Sequence, residues 1–540
     1  MGGLSSSIFI LRRRLMPSPP RMSKFLLTSM VAKKKSNLNP PNNLCNLPNF
    51  FGLFANHNFA SFSSSTLSNI GNNETMEKIP QVEIISEENI KPSSPTPDHL
   101  RTYEVSFLDQ LHSNIYMSFV YFYSNNHQTN LKFSRGQLLK QSLSETLKNF
   151  YPLAGKVKDS RHIDCNDDGV YYVEAKIKYQ LSDFLKQPDN KSIHQFLPVD
   201  PKSLDLLSSK TYVTMIQVTE FDCGGIAIGL HTSHKIIDGY SHATFLAAWA
   251  AAARGTTSSN SEEEIIPSFI SHSIFPSNSE LPENTTWLSL LQSLKHSKRV
   301  TKRFLFGSSS IINLKKSADA PTRVTAVTGL IWKCVIAASR PKKDISNNCK
   351  KLCILFVIVN LRNKSSPPMP NYLIGNIIWN ARITIPQSRS EDDDDHNDGL
   401  ELDVIVRNIK NTIDEINNDF IEQMKEEEWS LKVVEQLNEM KRFPPGEENI
   451  LHMTVSSLCN SGLHELDFGW GKPIWASVGN ADADNPILSG SNLMLLIDTR
   501  SGKGIEAWVT LPEEVMTVLE KDPELLAFAS VNPSPLETDD

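Results

Sequence analysis

The chain has 540 residues, 39% of them hydrophobic and 21% charged, with a formal net charge of −7. The composition is typical of a globular protein, the length indicates more than one domain, and the acidic balance disfavours nucleic acid as a partner. No run of about 18 apolar residues occurs, so we predict no membrane span.

Residues 1–75 differ in composition from the rest of the chain. Residues 1–73 contain eight Lys and Arg and twelve Ser but no acid, so all 61 Asp and Glu lie from Glu74 onward. A basic, Ser-rich and acid-free segment is typical of an organellar transit peptide. We predict a mitochondrial transit peptide or a disordered extension. The alternatives are a cytosolic protein that starts at Met76 and a plastid protein.

The next part of the chain alternates between strand and helix patterns. Strand patterns lie at 81–97, where a turn follows, at 169–177, and at 211–234, where Asp-Cys-Gly-Gly predicts a hairpin. Helical patterns lie at 138–150 and 243–255, the second ending at a glycine. We therefore expect an α/β domain here.

A polar, Pro-punctuated stretch between residues 255 and 300 interrupts this alternation and predicts a crossover between domains. Helical patterns follow at 322–339 and 401–441, with a buried strand at 352–362, and residues 492–522 predict strand, Gly turn, strand and helix. The second half is thus also α/β. Two α/β domains of comparable size are expected.

The seven cysteines, at positions 45, 165, 223, 334, 349, 353 and 459, include no Cys-X-X-Cys pair. An odd and dispersed set favours reduced thiols over a disulfide framework. It also argues against a zinc site, so we predict no bound metal.

His234 lies where a strand pattern ends, and a helix pattern begins just after Asp238. A strand-to-helix turn at a sheet edge points its side chains toward clefts, and a neutral imidazole accepts a proton near pH 7. We interpret His234 as a general base. A buried structural histidine is one alternative. A metal site with His231 and Asp238 is the other, but two histidines three apart in a strand point to opposite faces.

Two motifs carry a family resemblance. HKIIDG at 234–239 resembles the HxxxDG motif of the plant BAHD acyl-CoA-dependent acyltransferases, and DFGWGKP at 467–473 matches that family's DFGWG signature in full. The stretches FYPLAGKV, TRVTAVTGLIWKC and VNLRNKSSPPMPNYLIGN are similar to family sequences in the same order. The resemblance covers roughly 77–530, the whole body of the chain.

This resemblance implies a fold of two chloramphenicol acetyltransferase-like α/β domains of similar size, with a solvent channel between them. We place the N-terminal domain with HxxxD at 76–255, the crossover linker at 256–305 and the C-terminal domain with DFGWG at 306–540. It further implies a monomer with no bound cofactor, for which acyl-CoA is the co-substrate and a small-molecule alcohol the acceptor.

The same resemblance implies roles at the first motif. His234 is expected to deprotonate the acceptor, so that the acceptor attacks the thioester directly without a covalent acyl-enzyme. Asp238 is expected to point away from the cleft and to pair with Arg323, and Gly239 to let the chain bend tightly into the helix. Asp238 and Arg323 would then support the site without orienting the imidazole.

At the second motif, the resemblance implies structural roles away from the chemistry. Asp467 is expected to hold a loop by hydrogen bonds, Gly469 and Gly471 to permit its backbone, and Trp470 to pack in the core. Ser456 stands where family members commonly carry Thr-Ser-Trp, and its hydroxyl is a candidate contact for the oxyanion or the acceptor.

The sequence as a whole resembles the alkaloid acyltransferase branch of the BAHD family, which is vinorine synthase-like. That branch implies transfer of an acetyl, tigloyl or similar short acyl group onto an alkaloid alcohol, for example a tropane alcohol such as pseudotropine. An acylsugar or other alcohol acyltransferase of the same family, or a non-catalytic binding relative, is the alternative.

Overall fold

The computed structural model describes residues 79–125, 134–198, 211–255, 264–282, 286–287, 298–340, 352–370, 372–385, 401–441, 450–479 and 491–537. The body of the chain from Met76 onward forms one compact unit. The transit peptide predicted for residues 1–75 lies outside the described residues.

The described strands are β1 (Glu83–Ile90), β2 (Thr102–Glu104), β3 (Tyr116–Tyr123), β4 (Lys156–Val157), β5 (His162–Asp164), β6 (Val170–Ile177), β7 (Thr214–Phe221), β8 (Ile226–Ser233), β9 (Arg299–Phe306), β10 (Leu352–Asn360), β11 (Ile378–Ile385), β12 (Ile450–Ser457), β13 (Trp475–Val478), β14 (Leu493–Asp498), β15 (Ile505–Pro512) and β16 (Ser530–Val531).

The described α-helices are α1 (Phe107–Gln110), α2 (Arg135–Asn149), α3 (Leu181–Lys186), α4 (Asn190–Ile193), α5 (Gly239–Arg254), α6 (Ser271–Ile274), α7 (Ser308–Ser317), α8 (Arg323–Ala338), α9 (Leu402–Glu415), α10 (Asn418–Met424), α11 (Glu427–Lys441), α12 (Glu513–Leu519) and α13 (Pro523–Leu526). Short 3₁₀ helices lie at Asp98–Leu100, Tyr151–Ala154, His194–Phe196 and Leu463–Glu465.

The first large sheet has the strand order β1-β6-β7-β8-β3-β13. Strands β7 and β8 form the predicted hairpin, while β6 and β7 run parallel. Every residue of β8 is buried, because the strand lies between β7 and β3 near the centre of the sheet. Helices α2 and α5 pack beside each other, and the Trp249 indole of α5 donates to the carbonyl oxygen of Leu139 in α2 at 3.1 Å.

The second large sheet has the order β11-β10-β12-β14-β15-β9-β16. Its parallel centre consists of β10, β12 and β14, and the flanking pairs are antiparallel. Strand β10 is almost wholly buried, as its unbroken apolar run predicts. Helix α8 covers this sheet with a nearly continuous buried face, and Thr322 caps its start by accepting from the Thr325 amide. Each large sheet therefore has its own hydrophobic core.

Most of the predicted elements are confirmed at close to their expected positions. Helix α5 begins earlier than the predicted 243, because Asp238 caps it by accepting from the Ser241 amide at 2.8 Å. It ends at Gly255, whose φ of 69° is left-handed. The helical stretch 401–441 is divided into α9, α10 and α11.

Two strands cross the predicted domain limits. Strand β9 begins at Arg299, within the predicted 256–305 linker, and belongs to the second sheet. Strand β13 lies in the predicted 306–540 domain but pairs antiparallel with β3 at the edge of the first sheet. There Trp475 stacks on Phe122 with ring centroids 5.5 Å apart. The apolar side chains against which β13 packs thus belong to the N-terminal half of the chain, and the position of β13 in the sequence does not indicate this.

In the described part of the chain, no helix has the length and apolar character needed to cross a membrane. None of the cysteines described there forms a disulfide.

Candidate active site

His234 lies in the short connection between β8, which ends at Ser233, and α5, which begins at Gly239. Its backbone N–H donates to the carbonyl oxygen of Ile115, just before β3, at 2.7 Å. The loop is therefore fixed to the start of β3, an interior strand of the first sheet. The strand-to-helix turn expected from the sequence is confirmed.

The side chain of His234 is oriented by Asn376. Oδ1 of Asn376 lies 2.9 Å from Nδ1 of the imidazole. Nδ2 of the same amide donates to Oδ1 of Asp109 at 2.9 Å and to the carbonyl oxygen of His234 at 2.8 Å. Because both of these partners can only accept, the amide oxygen must face the ring. Nδ1 of His234 therefore carries the proton, and Nε2 is left with a free lone pair.

Asp109 completes this arrangement from α1. Its carboxylate accepts from the backbone N–H and the hydroxyl of Ser106 at 2.9 and 2.6 Å, and from the backbone N–H of Asn376 at 2.6 Å. Burial raises the pKa of Asp109, and these hydrogen bonds act against the rise. Burial also lowers the pKa of His234 below its usual 6.5. A neutral imidazole at neutral pH is the form that can accept a proton.

Asp238 points away from the imidazole, as predicted, but its cationic partner is Arg362. The two side chains form a bidentate pair, with Nη1 to Oδ2 at 2.7 Å and Nη2 to Oδ1 at 3.1 Å. Both are buried, at 6% and 2% side-chain exposure. The Ile377 amide also donates to Asp238 at 3.1 Å. The pair thus joins the start of α5 to the segment that carries Asn376.

The predicted pairing of Asp238 with Arg323 is wrong. Arg323 opens α8 and pairs with Asp498 at the end of β14, with Nη2 to Oδ1 at 2.6 Å. It also donates to the side chain of Asn460 and to the carbonyl oxygen of Gly502. Helix α8 begins beside the β14–β15 turn, whereas the VNLRN stretch after β10 brings Arg362 to Asp238.

Gly239 packs closely against a side chain of the second half, and its φ angle is not left-handed. A Cβ atom built at this position would lie 2.0 Å from Cδ2 of Leu458. Leu458 directly follows β12, in the SSL segment of the second half. The start of α5 and the end of β12 are therefore in direct contact.

A cavity of about 550 Å³ opens beside His234. Its wall includes Ser456, which the sequence singled out, together with Tyr240 and Trp287. Much of the remaining lining is apolar and comes from the second sheet, including Phe356, Ile358, Ile378, Leu493 and Leu495. The cavity size is that of a site for a small organic ligand. The structure thus brings His234 and Ser456, from the two halves of the chain, to one cavity.

The metal alternative finds no support in this geometry. Nδ1 of His231 lies 2.6 Å from the hydroxyl of Ser118 inside the first sheet, and Asp238 is engaged by Arg362. Among the described residues no group of three His, Cys, Asp or Glu side chains could hold a metal ion.

Comparisons with known proteins decide the family. The family described as Transferase matches residues 80–526. A limonoid 7-O-acetyltransferase from Citrus sinensis is 40% identical over 476 residues, covering 84% of this chain and 99% of the relative. An epi-neemfruitin B 7-O-acetyltransferase from Melia azedarach is 40% identical over 471 residues, with the same coverage. The crystal structure of vinorine synthase matches with a TM-score of 0.68 and 31% identity, over 84% of this chain and all of that one.

The chain belongs to the BAHD acyltransferase family. As a member it is an acyltransferase with acyl-CoA as co-substrate. The expected α/β fold class is confirmed as well, because vinorine synthase has the same fold.

The second BAHD motif forms a tight loop away from His234. Oδ1 of Asp467 accepts from the amides of Gly469 and Gly471 at 2.7 and 2.9 Å. Both glycines have left-handed φ angles, 106° and 105°, at which other residues are strained. The geometry agrees with the loop-holding role expected of Asp467 and with the need for glycine at both positions.

Trp470 of this BAHD motif packs in the core of the first sheet. It is 2% exposed, its ring stacks on Phe468 at 5.7 Å, and the guanidinium of Arg135 lies 5.6 Å from its centroid. The loop precedes β13, so it helps to hold that strand against the first sheet. Trp470 therefore stabilises the contact between the two halves.

Sequence reasoning missed Asn376, Asp109 and Arg362 as site residues. Asn376 and Arg362 fall inside the family-like stretch VNLRNKSSPPMPNYLIGN, which was a usable signal. Asp109 had a local signal as well, because Ser106 and Asp109 form a capping box at α1. That signal predicts a helix start, however, and gives no indication that the carboxylate reaches the base.

Proposed function

We propose that this chain transfers an acetyl group from acetyl-CoA to a hydroxyl of a polycyclic plant specialised metabolite of the limonoid kind. One observation carries the proposal: an imidazole whose Nδ1 is held by Asn376 and whose Nε2 is unprotonated lies on the wall of a cavity of about 550 Å³. That nitrogen is suited to take the proton of an acceptor alcohol.

In the proposed reaction, Nε2 of His234 removes the hydroxyl proton as the acceptor oxygen attacks the thioester carbonyl. The tetrahedral oxyanion then collapses, the C–S bond breaks, and the CoA thiolate takes the proton from the imidazolium. The products are the ester and free CoA. The hydroxyl of Ser456 is our candidate donor to the oxyanion or to the acceptor, since it lines the same cavity. A two-sided channel that admits acyl-CoA and acceptor from opposite faces is part of this proposal.

The acceptor class is argued from the cavity and the relatives. A largely apolar cavity of about 550 Å³ suits a polycyclic alcohol with few polar groups. Two relatives at 40% identity are named for acetylation of a limonoid and of epi-neemfruitin B. An alkaloid alcohol, including the tropane alcohol pseudotropine with a tigloyl donor, is the second candidate, since vinorine synthase has the same fold at 31% identity.

The decisive experiment is a screen of the purified full-length chain. Acetyl-CoA and tigloyl-CoA are offered with limonoid alcohols bearing a free 7-hydroxyl and with pseudotropine, and released CoA thiol and ester are measured. We expect acetyl transfer to a limonoid alcohol. Faster transfer to pseudotropine would favour the alkaloid candidate. If no CoA thiol is released with either acceptor, both candidates are contradicted.

The base is tested with His234→Ala. Loss of a general base lowers kcat by about 10²–10⁴-fold, while folding and CoA binding should persist. The matched control is His99→Ala, which changes an exposed histidine in a 3₁₀ helix. Near-normal turnover by His234→Ala would exclude the imidazole as the base.

We also propose that residues 1–75 direct import into mitochondria, on the strength of their basic, acid-free composition. A fusion of this segment to a fluorescent protein should enter mitochondria, and the fusion with its eight Lys and Arg changed to Gln should not. A reporter found in the cytosol or in plastids would refute import into mitochondria.

We further propose that the protein acts as a monomer. Its mass in solution, measured by light scattering, tests this.

A further inference from the structure

A second histidine stands beside the proposed base. The ring of His112, in the loop between α1 and β3, stacks on the ring of His234 with centroids 4.9 Å apart and planes 17° from parallel. Both residues line the cavity. The wall that would hold the reacting hydroxyl therefore presents two imidazoles.

The hydrogen bonding of His112 defines what its ring can do. Nδ1 lies 2.9 Å from the carbonyl oxygen of Leu108, which can only accept, so Nδ1 carries the proton. Nε2 is then a bare acceptor, as it is in His234. Among the described residues, the hydrogen bonds of the two rings, to Leu108 and to Asn376, both engage Nδ1.

The position of His112 is fixed from several sides. Lys235 donates to its backbone carbonyl at 3.2 Å, and the backbone amide of Trp287 donates to the carbonyl of the adjacent Leu111 at 3.0 Å. Burial is the main cause that holds the pKa of His112 well below 6.5, and the electrostatic effect of the neighbouring His234 is the second. The ring is thus neutral at physiological pH, and it presents a lone pair and not a charge.

We propose that Nε2 of His112 binds a second hydrogen-bond donor of the acceptor, close to the hydroxyl that His234 deprotonates. The acceptor class is then a diol or a hydroxy-amine, with the two donor groups on neighbouring atoms. This inference rests on the proposed function and makes its acceptor more specific. His112 is a binding and specificity residue, while proton removal remains with His234.

Estradiol and estriol are suitable probes, because both carry hydroxyls at C3 and C17 and estriol adds one at C16, on the atom next to the C17 hydroxyl. Affinity of the full-length chain for each steroid is measured by equilibrium dialysis in the presence of CoA. One additional net hydrogen bond corresponds to about threefold to tenfold tighter binding of estriol. Equal affinity, including no binding of either steroid, would overturn the proposal.

The variant His112→Phe keeps an aromatic ring for the stack but lacks the Nε2 lone pair. We expect its preference for estriol to disappear while its affinity for estradiol stays within about twofold. A parallel loss of both affinities, or an unchanged preference, would show that His112 only packs against His234 and would overturn the inference. Thermal unfolding and CoA binding of His112→Phe verify that the fold is intact.

A second variant guards against misfolding of the first. His112→Gln retains a side-chain acceptor and should recover part of the estriol preference. His234→Ala distinguishes the two proposals: it should lower kcat for acetyl transfer by about 10²–10⁴-fold but leave the estriol preference measurable. Near-normal transfer in His234→Ala would refute the proposed role of His234 as the base, whereas a missing estriol preference in a wild-type protein that transfers acetyl would refute only the role of His112.

Discussion

Asn376 holds His234 in one tautomer. Its amide oxygen lies 2.9 Å from Nδ1 of the imidazole, while its amide nitrogen bonds to the buried carboxylate of Asp109 at 2.9 Å. The chain of His234, Asn376 and Asp109 resembles a base with its orienting groups, but an amide stands where a carboxylate is commonly found. A neutral amide fixes the ring without placing a negative charge beside it.

Removal of this amide should impair turnover more than binding. We expect Asn376→Ala to lower kcat by about tenfold to a hundredfold, less than the roughly 10²–10⁴-fold attributed to the base itself because the imidazole remains, with little change in CoA affinity. Asn114→Ala is the matched control, since Asn114 bonds the side chains of Ser233 and Thr211 close to the base. Equal kcat losses in both variants would mean that Asn376 acts only through stability.

The pH dependence of the reaction carries a separate signature. Burial lowers the pKa of His234 below 6.5, so the active neutral form should persist below that pH. The acid limb of kcat/KM is therefore expected at a pH under 6.5. The bond to Asn376 acts in the opposite direction and raises this pKa, so in Asn376→Ala the limb should move to still lower pH. A limb above 6.5, or a shift upward in the variant, would contradict the assignment.

The ion pair of Asp238 and Arg362 is expected to stabilise the site strongly. Removing one partner leaves the other charge buried, so Asp238→Ala and Arg362→Ala should each lower the free energy of unfolding by about 3–5 kcal/mol. The double variant should be less destabilised than the sum of the two. Chemical denaturation measures all three.

Arg323→Ala is the control for this cycle. Its pair with Asp498 is more exposed, at 20% and 17% of the two side chains, and should cost about 1 kcal/mol. Combined with Asp238→Ala, its effect should be additive. A strongly non-additive effect of Arg323→Ala and Asp238→Ala on the free energy of unfolding would contradict the pairing of Asp238 with Arg362 and favour its pairing with Arg323.

The buried histidines should make the protein less stable in acid. Burial lowers the pKa of His242 to about 3, and burial together with Arg299 lowers that of His452 to about 4. As pH falls below 6.5, these histidines become protonated in the unfolded chain but stay neutral in the folded protein, so the free energy of unfolding decreases until the pH reaches their folded-state pKa values. At pH 5 each histidine should lower the free energy of unfolding by about 2 kcal/mol.

His452 is the better of the two for a test, because its Nε2 is buried and finds no hydrogen-bond partner among the residues that the structure describes. His452→Leu should reduce the difference in unfolding free energy between pH 7 and pH 5 by about 2 kcal/mol. His99→Leu, at an exposed position, should leave that difference unchanged. An identical pH dependence in His452→Leu and the wild type would refute the role of burial.

The contact between Gly239 and Leu458 predicts a compensating pair. Gly239→Ala places a methyl group against Cδ2 of Leu458, the far end of a flexible side chain that can shift, so we expect a cost of about 1 kcal/mol, the lower end for overpacking. Leu458→Ala removes the clash, so the double variant should be more stable than the sum of the single changes implies. Thermal unfolding compares the four proteins, and simple additivity would disprove the contact.

The sequence predicted the local structure well because local structure has local causes. The alternation at 169–177 became β6, and the unbroken apolar run at 352–362 became β10. The DFGWG loop was predictable for a similar reason, since Asp467 bonds amides two and four residues away and the glycines set the backbone. Such signals lie within one stretch of chain.

The amino-acid sequence alone determined most of the elements, the glycine loop and the identity of the proposed base. Only the tertiary structure decided that Arg362 and not Arg323 neutralises Asp238, that Asn376 reaches a ring 142 residues away, and that His112 stacks on His234. Those contacts join segments far apart in the chain, and neither periodicity nor spacing encodes which distant side chains meet. They exist because residues of both sheets line one cavity, and hydrogen bonding, charge pairing and ring stacking between distant segments select the partners there.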